Sequence, residues 1–164
     1  YFNTGDLVRD IGFRHAQFVD RLGDTFRWKG ENVSTTEVEN MVCEYHKIAE
    51  AVVYGVEIPN TNGRAGMAAI TLVDGEELNE ADLSSMVNVF KKRLPSYAIP
   101  VFLRVQAKVE TTGTFKYQKN KLKEDAFNPA KTSERLLVLL PGATAYCDVN
   151  AEIFNNIQNY QYRF

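Results

Sequence analysis

The sequence predicts a small α+β domain in which a β-hairpin and a three-stranded sheet are packed with helices. Two helix starts and the β-rich runs around them support this prediction. Ser34-Thr35-Thr36-Glu37 has the hydroxyl, and the glutamate three residues later, of a capping box. Asn79 caps a second helix, with apolar residues spaced by three and four on its buried side, and Pro95 ends it. The three strands are predicted at residues 51–56, 67–73 and 101–109.

The remaining segments complete the order of elements. Residues 1–22 are typical of two strands around a turn, and residues 23–33 of a strand that ends at a Gly30 turn. A helix is predicted over 116–127. We divide the chain into the end of a larger domain with its hinge approach (1–22), the small domain itself (23–128) and a C-terminal extension (129–164). The extension contains a strand-like run at 136–140 and a short helix at 150–157.

The composition excludes several function classes. Lys+Arg 19 against Asp+Glu 21 gives a net charge of −2, so no global field favours nucleic acid or an anionic membrane. The longest apolar cluster, 136–140, is far below the roughly 20 residues that cross a bilayer. Cys43 and Cys147 match no metal-ligand spacing, so no metal site is predicted. They indicate a reduced, cytosolic setting, the alternative being that the two cysteines pair. The chain opens without methionine and inside a strand, from which we expect it to be a piece of a longer protein.

Three residues near the start of the chain are candidates for binding a nucleotide. Asp6 follows a glycine, and its carboxylate can accept two hydrogen bonds from a cis-diol such as ribose. Arg21 offers a planar fork that suits phosphate or ribose oxygens. Gly23 can absorb the large torsion changes of a hinge. The simpler alternatives are a turn residue for Asp6 and a surface ion pair for Arg21.

Two further candidates lie later in the chain. Gly30 permits close backbone approach to a ligand. The aromatic and basic residues before it could indicate binding of single-stranded nucleic acid, but the segment is one short strand with charges of both signs, which argues against that function. Lys116 ends a polar loop at the start of a predicted helix, where its ammonium group can stabilise negative charge on a phosphoryl group. The simpler alternative is that Lys116 is a solvated surface lysine. His15 and His46 have no paired acid at catalytic spacing. The catalytic inventory within this chain is therefore incomplete.

The order of these motifs resembles the closing third of adenylate-forming, AMP-binding enzymes. The matching segments are YFNTGDLV (1–8), FVDRLGD (18–24), KGENV (29–33), LPSYAIP (94–100) and TGTFK (112–116). The segment DTFRWKGENVSTTEV (24–38), together with TGTFK, is similar to the corresponding sequences of fatty-acid transport proteins and very-long-chain acyl-CoA synthetases, one branch of this family. The resemblance implies the C-terminal lid domain of such an enzyme.

It also implies an activity in two halves. A fatty acid carboxylate attacks the α-phosphorus of ATP, and the CoA thiol then displaces AMP. By the resemblance, Asp6 holds the ATP ribose and Arg21 contacts ribose or phosphate. Lys116 is the adenylation lysine, Gly23 the hinge, and Gly30 a wall of the CoA channel once the lid rotates. Two positions depart from the family pattern: Gly23 replaces a common Asp or Lys, and Asn32 replaces an arginine found in many CoA ligases.

The resemblance further implies what lies outside these residues. The phosphate loop, the acyl pocket and the Mg²⁺-binding glutamate belong to an N-terminal AMP-binding domain, the expected partner of this lid. ATP, Mg²⁺ and CoA are then used by the full-length enzyme, and the isolated chain is expected to be inactive. The location is cytoplasmic or membrane-associated, with any membrane segment outside this chain. Two alternatives stay open: the lid of another adenylate-forming enzyme, and a stand-alone binding module.

Overall fold

A computed structural model describes residues 25–107 and 115–164 together with two strands at 6–10 and 16–21. Side chains are described for 25–107 and 119–164. The first two strands are β1, Asp6–Asp10, and β2, Ala16–Arg21. They pair antiparallel with Asp6 opposite Arg21, as expected for a strand, a turn and a second strand.

A second hairpin follows at once. Strand β3, Thr25–Trp28, pairs antiparallel with β4, Glu31–Ser34, through a two-residue turn. Both turn residues have positive φ, 51° at Lys29 and 83° at Gly30. Two such residues make the type I′ geometry whose twist suits a tight hairpin. The predicted turn at Gly30 is confirmed.

The main sheet has five strands, two more than the sequence analysis predicts. Their order is β5-β6-β7-β8-β9. Strands β6 and β7 run parallel, because a helix crosses over between them, and the other neighbours run antiparallel. The additional strands come from the C-terminal extension, where β8 was foreseen only as a strand-like run and two-residue β9 is too short to show a periodic pattern. The bounds are β5 Ile48–Val56, β6 Ala65–Leu72, β7 Phe102–Gln106, β8 Arg135–Val138 and β9 Cys147–Asp148.

The first two helices begin where the caps predict. The bounds of the helices are α1 Thr35–Val42, α2 Glu80–Arg93, α3 Phe115–Asp125 and α4 Ala151–Gln158. The Ser34 hydroxyl accepts a hydrogen bond from the Glu37 amide at 3.3 Å. Asn79 forms a complete capping box with Asp82. The predicted apolar face of the second helix is buried: Leu83, Met86, Val87, Phe90 and Leu94.

The C-terminal extension packs on the same core as the small domain. Phe127 stacks on Phe102 of the sheet with ring centroids 4.2 Å apart. Phe154 of α4 lies 5.7 Å from Phe127, and Phe164 lies 6.1 Å from Phe102. The α+β class is therefore confirmed, with residues 129–164 contributing strands and aromatic contacts to it. Our division of the chain at residues 22 and 128 stays a prediction.

Candidate functional site

The β3–β4 hairpin is seated on the main sheet through two glycines. A Cβ at Gly55 would lie 2.9 Å from Phe26 Cβ, and one at Gly66 would lie 3.2 Å from Phe26 Cζ. A side chain at Gly55 would force Phe26, which is buried, or Arg64 to shift, and one at Gly66 would press against the tip of the Phe26 ring. The two glycines of β5 and β6 thus let the first strand of the hairpin lie close against the sheet.

The tip of the hairpin is fixed by backbone contacts. The Arg64 amide donates to the Arg27 carbonyl at 2.7 Å, and Trp28 forms a β-bridge with Gly63. Gly63 has a φ of 93°, and a Cβ there would lie 2.3 Å from the Arg27 oxygen. Only glycine fits both the backbone conformation and this close approach. The turn at Gly30 therefore projects from a firmly held base.

Gly30 itself stands in open space. A Cβ at this position would meet no described atom within 4 Å. Beside it, the ammonium of Lys29 lies 5.7 Å from the ring centroid of Trp28, within the range of a cation–π contact. Trp28 is buried and anchors the turn from below. Because nothing in the described residues fills the space over Gly30, another molecule can approach its backbone there.

A basic pocket of about 330 Å³ lies next to this turn. Three cationic residues line it: Lys29 from the turn, Lys91 from α2 and Arg163 from the C-terminal extension. No acidic residue is among the described residues that line it. Its apolar wall combines Trp28, Ile99, Val101, Leu139, Leu140 and Phe164. Such a pocket suits an anionic ligand that also carries an apolar or aromatic part.

Helix α3 places Lys116 in its first turn, as the second helical residue. The other end of the helix is held by buried Leu122 and by Asp125, which pairs with Arg104 at 3.2 Å. Between them, Lys119 lies 3.8 Å from Glu39 of α1. Glu39 also accepts the Val53 amide of β5 at 2.8 Å, so this contact links α3 to the edge of the sheet.

Arg104 is a buried charge that the sequence analysis missed. From the middle of β7 it donates to Asp125 at 3.2 Å, to Thr132 at 3.1 Å, and through Nε to Glu134. Burial alone would lower the pKa of Arg104, but the Glu134 and Asp125 carboxylates raise it above its ordinary value. One signal was available, since an arginine interrupts the apolar run of a predicted strand.

The predicted nucleotide residues are only partly described. Asp6 and Arg21 occupy opposite positions at one end of the first hairpin, and their side chains lie outside the described residues. Gly23 lies outside the described residues, as does the side chain of Lys116. Asn32 is exposed on β4. His46 contacts Tyr45, with ring centroids 4.7 Å apart.

The described residues form neither a cluster of metal-ligating side chains nor a helix that could cross a membrane. Among the described residues, no cluster of three or more His, Cys, Asp or Glu side chains is arranged to hold a metal ion. Within that same part of the chain, every helix is too short or too polar to span a bilayer.

The fold and the order of the motifs define a class of protein. Residues 37–116 match the AMP-binding enzyme C-terminal domain. The chain belongs to this family and forms the C-terminal part of such an enzyme. A solved structure agrees: o-succinylbenzoate CoA synthetase from Bacillus subtilis, in complex with its acyl-adenylate intermediate, is 28% identical with a TM-score of 0.61, over 73% of this chain and 24% of that one.

Two curated relatives narrow the assignment to one branch. Mouse long-chain fatty acid transport protein 6 is 46% identical over 97% of this chain and 25% of its own length. Medium/long-chain-fatty-acid–CoA ligase FadD6 of Mycobacterium tuberculosis is 47% identical over 93% of this chain and 25% of its own length. The resemblance to the fatty-acid transport protein branch is confirmed. The chain spans about a quarter of the length of these relatives.

Proposed function

We propose that the protein containing this chain is a fatty acyl-CoA synthetase and that this chain is its lid. The observation that carries the proposal is the identity of 47% with a fatty-acid–CoA ligase, over 93% of the chain. The aryl acid synthetase of similar fold is only 28% identical, which favours a fatty acid over an aryl acid as substrate. A stand-alone module with chance motifs does not account for identity at this level.

The reaction has two chemical steps. A carboxylate oxygen of the fatty acid attacks the α-phosphorus of ATP, and the bond to the β-phosphate oxygen breaks, releasing pyrophosphate. The CoA sulfur then attacks the acyl carbonyl as its proton passes to solvent, and the bond to AMP breaks. Negative charge builds up on the α-phosphate in the first step, where an ammonium group lowers the barrier. We assign that ammonium to Lys116, the ribose contact to Asp6, and a ribose or phosphate contact to Arg21.

The second step uses the opposite side of the lid. We assign Gly30 to the wall of the CoA channel, because the open space over its backbone suits a narrow pantetheine arm. The basic pocket beside it offers Lys29, Lys91 and Arg163 to the phosphates of CoA. Gly23 is the proposed hinge between the two orientations. Binding CoA across turn and pocket would hold the thiol at the adenylate.

The proposal includes the partners of the lid. An N-terminal AMP-binding domain of the same protein supplies the acyl pocket and binds ATP with Mg²⁺. The substrates are a fatty acid, ATP and CoA, and the protein is cytoplasmic or membrane-associated. Residues 1–164 alone should make no measurable acyl-CoA from fatty acid, ATP, Mg²⁺ and CoA, since they lack the acyl pocket. Sustained turnover by the isolated chain would contradict this.

The test compares two lysines of one helix in the full-length protein. Lys116→Ala should reduce fatty-acid-dependent ATP–pyrophosphate exchange by about a hundredfold or more, because one preorganised electrostatic contact is worth that much. Lys121→Ala, an exposed position on the same helix, is the matched control and should exchange at the native rate. Thioester formation from supplied acyl-adenylate and CoA should survive in both. Native exchange by Lys116→Ala would refute the assignment.

A further inference from the structure

One buried guanidinium joins three separate parts of the lid. Arg104 sits on the middle strand of the five-stranded sheet, with its side chain 8% exposed. Its three hydrogen-bonded partners are Asp125 at the end of α3, and Thr132 and Glu134 in the segment leading to β8. The planar fork of arginine makes these bonds directional, so they fix orientation as well as distance.

Asp125 is the point at which this cluster holds α3. Lys116 precedes it by nine residues, which at 1.5 Å per residue is about 13 Å along the helix axis. Nine residues are also two and a half turns, so the two positions lie on opposite sides of the helix. The helix is thus gripped on one side at its C-terminal end, while the lysine occupies the other side at its N-terminal end.

This arrangement makes the helix a lever. A tilt of about 10° at the Asp125 end would displace the first turn by about 2 Å over that length. A misplacement of about 1 Å in a reacting group can cost a hundredfold in rate. The apolar contact of Leu122 resists separation of the helix from the core, but contacts of this kind are non-directional. The bond from Arg104 to Asp125 restrains rotation and tilt at this end, together with the hydrogen bond that Lys131 Nζ donates to the Glu124 carbonyl at 2.9 Å.

We infer that Arg104 is a positioning residue for the adenylation step: through Asp125 it sets the orientation of α3 and hence the place of Lys116. The inference rests on the proposed role of Lys116. It concerns one half-reaction only, because Gly30 and the basic pocket belong to the thioester step and are carried by the second hairpin, α2 and the C-terminus. Loosening α3 should leave that side of the lid in place.

The experiment separates the two half-reactions in the full-length protein. Arg104→Lys keeps the charge but loses the fork, and Asp125→Asn keeps the shape but loses the carboxylate. We expect either change to lower kcat for ATP–pyrophosphate exchange by about tenfold to a hundredfold, with KM for ATP little changed. Thioester formation from supplied acyl-adenylate should change by less than about twofold.

A matched control comes from another buried carboxylate. The Asp82 carboxylate accepts hydrogen bonds from the Tyr45 hydroxyl at 2.7 Å and from the Lys47 ammonium at 2.9 Å. None of these three residues lies on α3. Asp82→Asn therefore perturbs a comparable polar cluster without touching α3. Because Asp82 lies on α2, which also carries Lys91, this variant should not lower exchange in preference to thioester formation. If Arg104→Lys and Asp125→Asn likewise show no such preference, or leave exchange unchanged, the inference is refuted.

Lys116→Ala in the same assay distinguishes the two levels of failure. If Lys116→Ala lowers exchange about a hundredfold or more while the Arg104 and Asp125 variants exchange at the native rate, only the positioning role falls. If Lys116→Ala exchanges normally, the proposed function of the lysine falls first. Asp125→Asn, which preserves every heavy-atom position, keeps the test decisive even where Arg104→Lys does not fold.

Discussion

Replacing Gly30 by alanine should separate the stability of the lid from its function. The φ of Gly30 is +83°, and an added Cβ meets no described atom within 4 Å. The cost to folding is then backbone strain alone, about 1–2 kcal/mol for an L-residue in the left-handed region. Alanine also restricts the unfolded chain, which offsets about 0.4–1 kcal/mol. We expect a net loss of about 1 kcal/mol in the free energy of unfolding.

Gly75 provides an unusually close control. Its φ is also +83°, its Cβ position is equally empty, and it lies in a separate turn after β6. Gly75→Ala should therefore lose the same stability in urea unfolding as Gly30→Ala. Only Gly30→Ala should impair the thioester step, since a methyl group in a fitted channel costs about 1–3 kcal/mol. That is about a tenfold to hundredfold loss in kcat/KM for CoA.

The assay for this pair is acyl-CoA formation from supplied acyl-adenylate, alongside ATP–pyrophosphate exchange as a measure of the first step. Exchange should be native in both variants. Equal thioester rates for the two variants would remove Gly30 from the CoA channel. A stability loss several times larger at Gly30 than at Gly75 would show that the space over Gly30 is filled, contrary to the reasoning from its empty surroundings.

Three further outcomes are expected. Gly63→Ala should lose about 3 kcal/mol in urea unfolding, well beyond Gly75→Ala, because its Cβ would lie 2.3 Å from the Arg27 carbonyl oxygen; a loss equal to that of the control would contradict this. Hydrogen bonds from the Asn79 amide and the Tyr45 hydroxyl lower the pKa of Asp82 from 3.8 to about 2, so its contribution to stability is present above pH 3.8 and disappears as the pH falls toward 2. Asp82→Asn should accordingly cost about 1.5–3 kcal/mol at pH 7 and progressively less in acid, and a penalty independent of pH would refute the ionised state. Replacing both Lys91 and Arg163 by glutamine should raise KM for CoA about tenfold, whereas glutamine at Lys92, outside the pocket, should not; equal effects would detach the pocket from CoA.

The elements that the sequence predicted best are those where several local signals agree. The second helix has a capping residue, an apolar stripe of the correct spacing and a terminating proline, and each of its predicted core positions is buried. The turn at Gly30 was equally readable, because a glycine between two short strands suits the positive φ of a tight turn; the positive φ of Lys29 was not foreseen. The turn is confirmed, and the role of Gly30 as a site residue stays a prediction.

Contacts between distant segments were not readable in this way. Strand β8 forms by pairing with β7, and β9 forms by pairing with β8. The two residues of β9 are too few to show a local pattern from which its pairing could be predicted. The Arg104 cluster joins residues up to 30 positions apart in sequence, so no spacing rule reveals it. The roles of Asp6, Arg21, Gly23 and Lys116 came from motif order and remain predictions, since their side chains lie outside the described residues.

The pairing of β8 with β7 has a practical consequence for anyone isolating this lid. A truncation after residue 128 would remove β8, the strand that pairs with β7, and would leave the backbone N–H and C=O groups along that edge of β7 without hydrogen-bond partners. It would also bare Phe102, which Phe164 helps to cover. Such a shortened product should self-associate through the bared edge, so the minimal soluble unit of this lid extends well past the end of the region that matches the family.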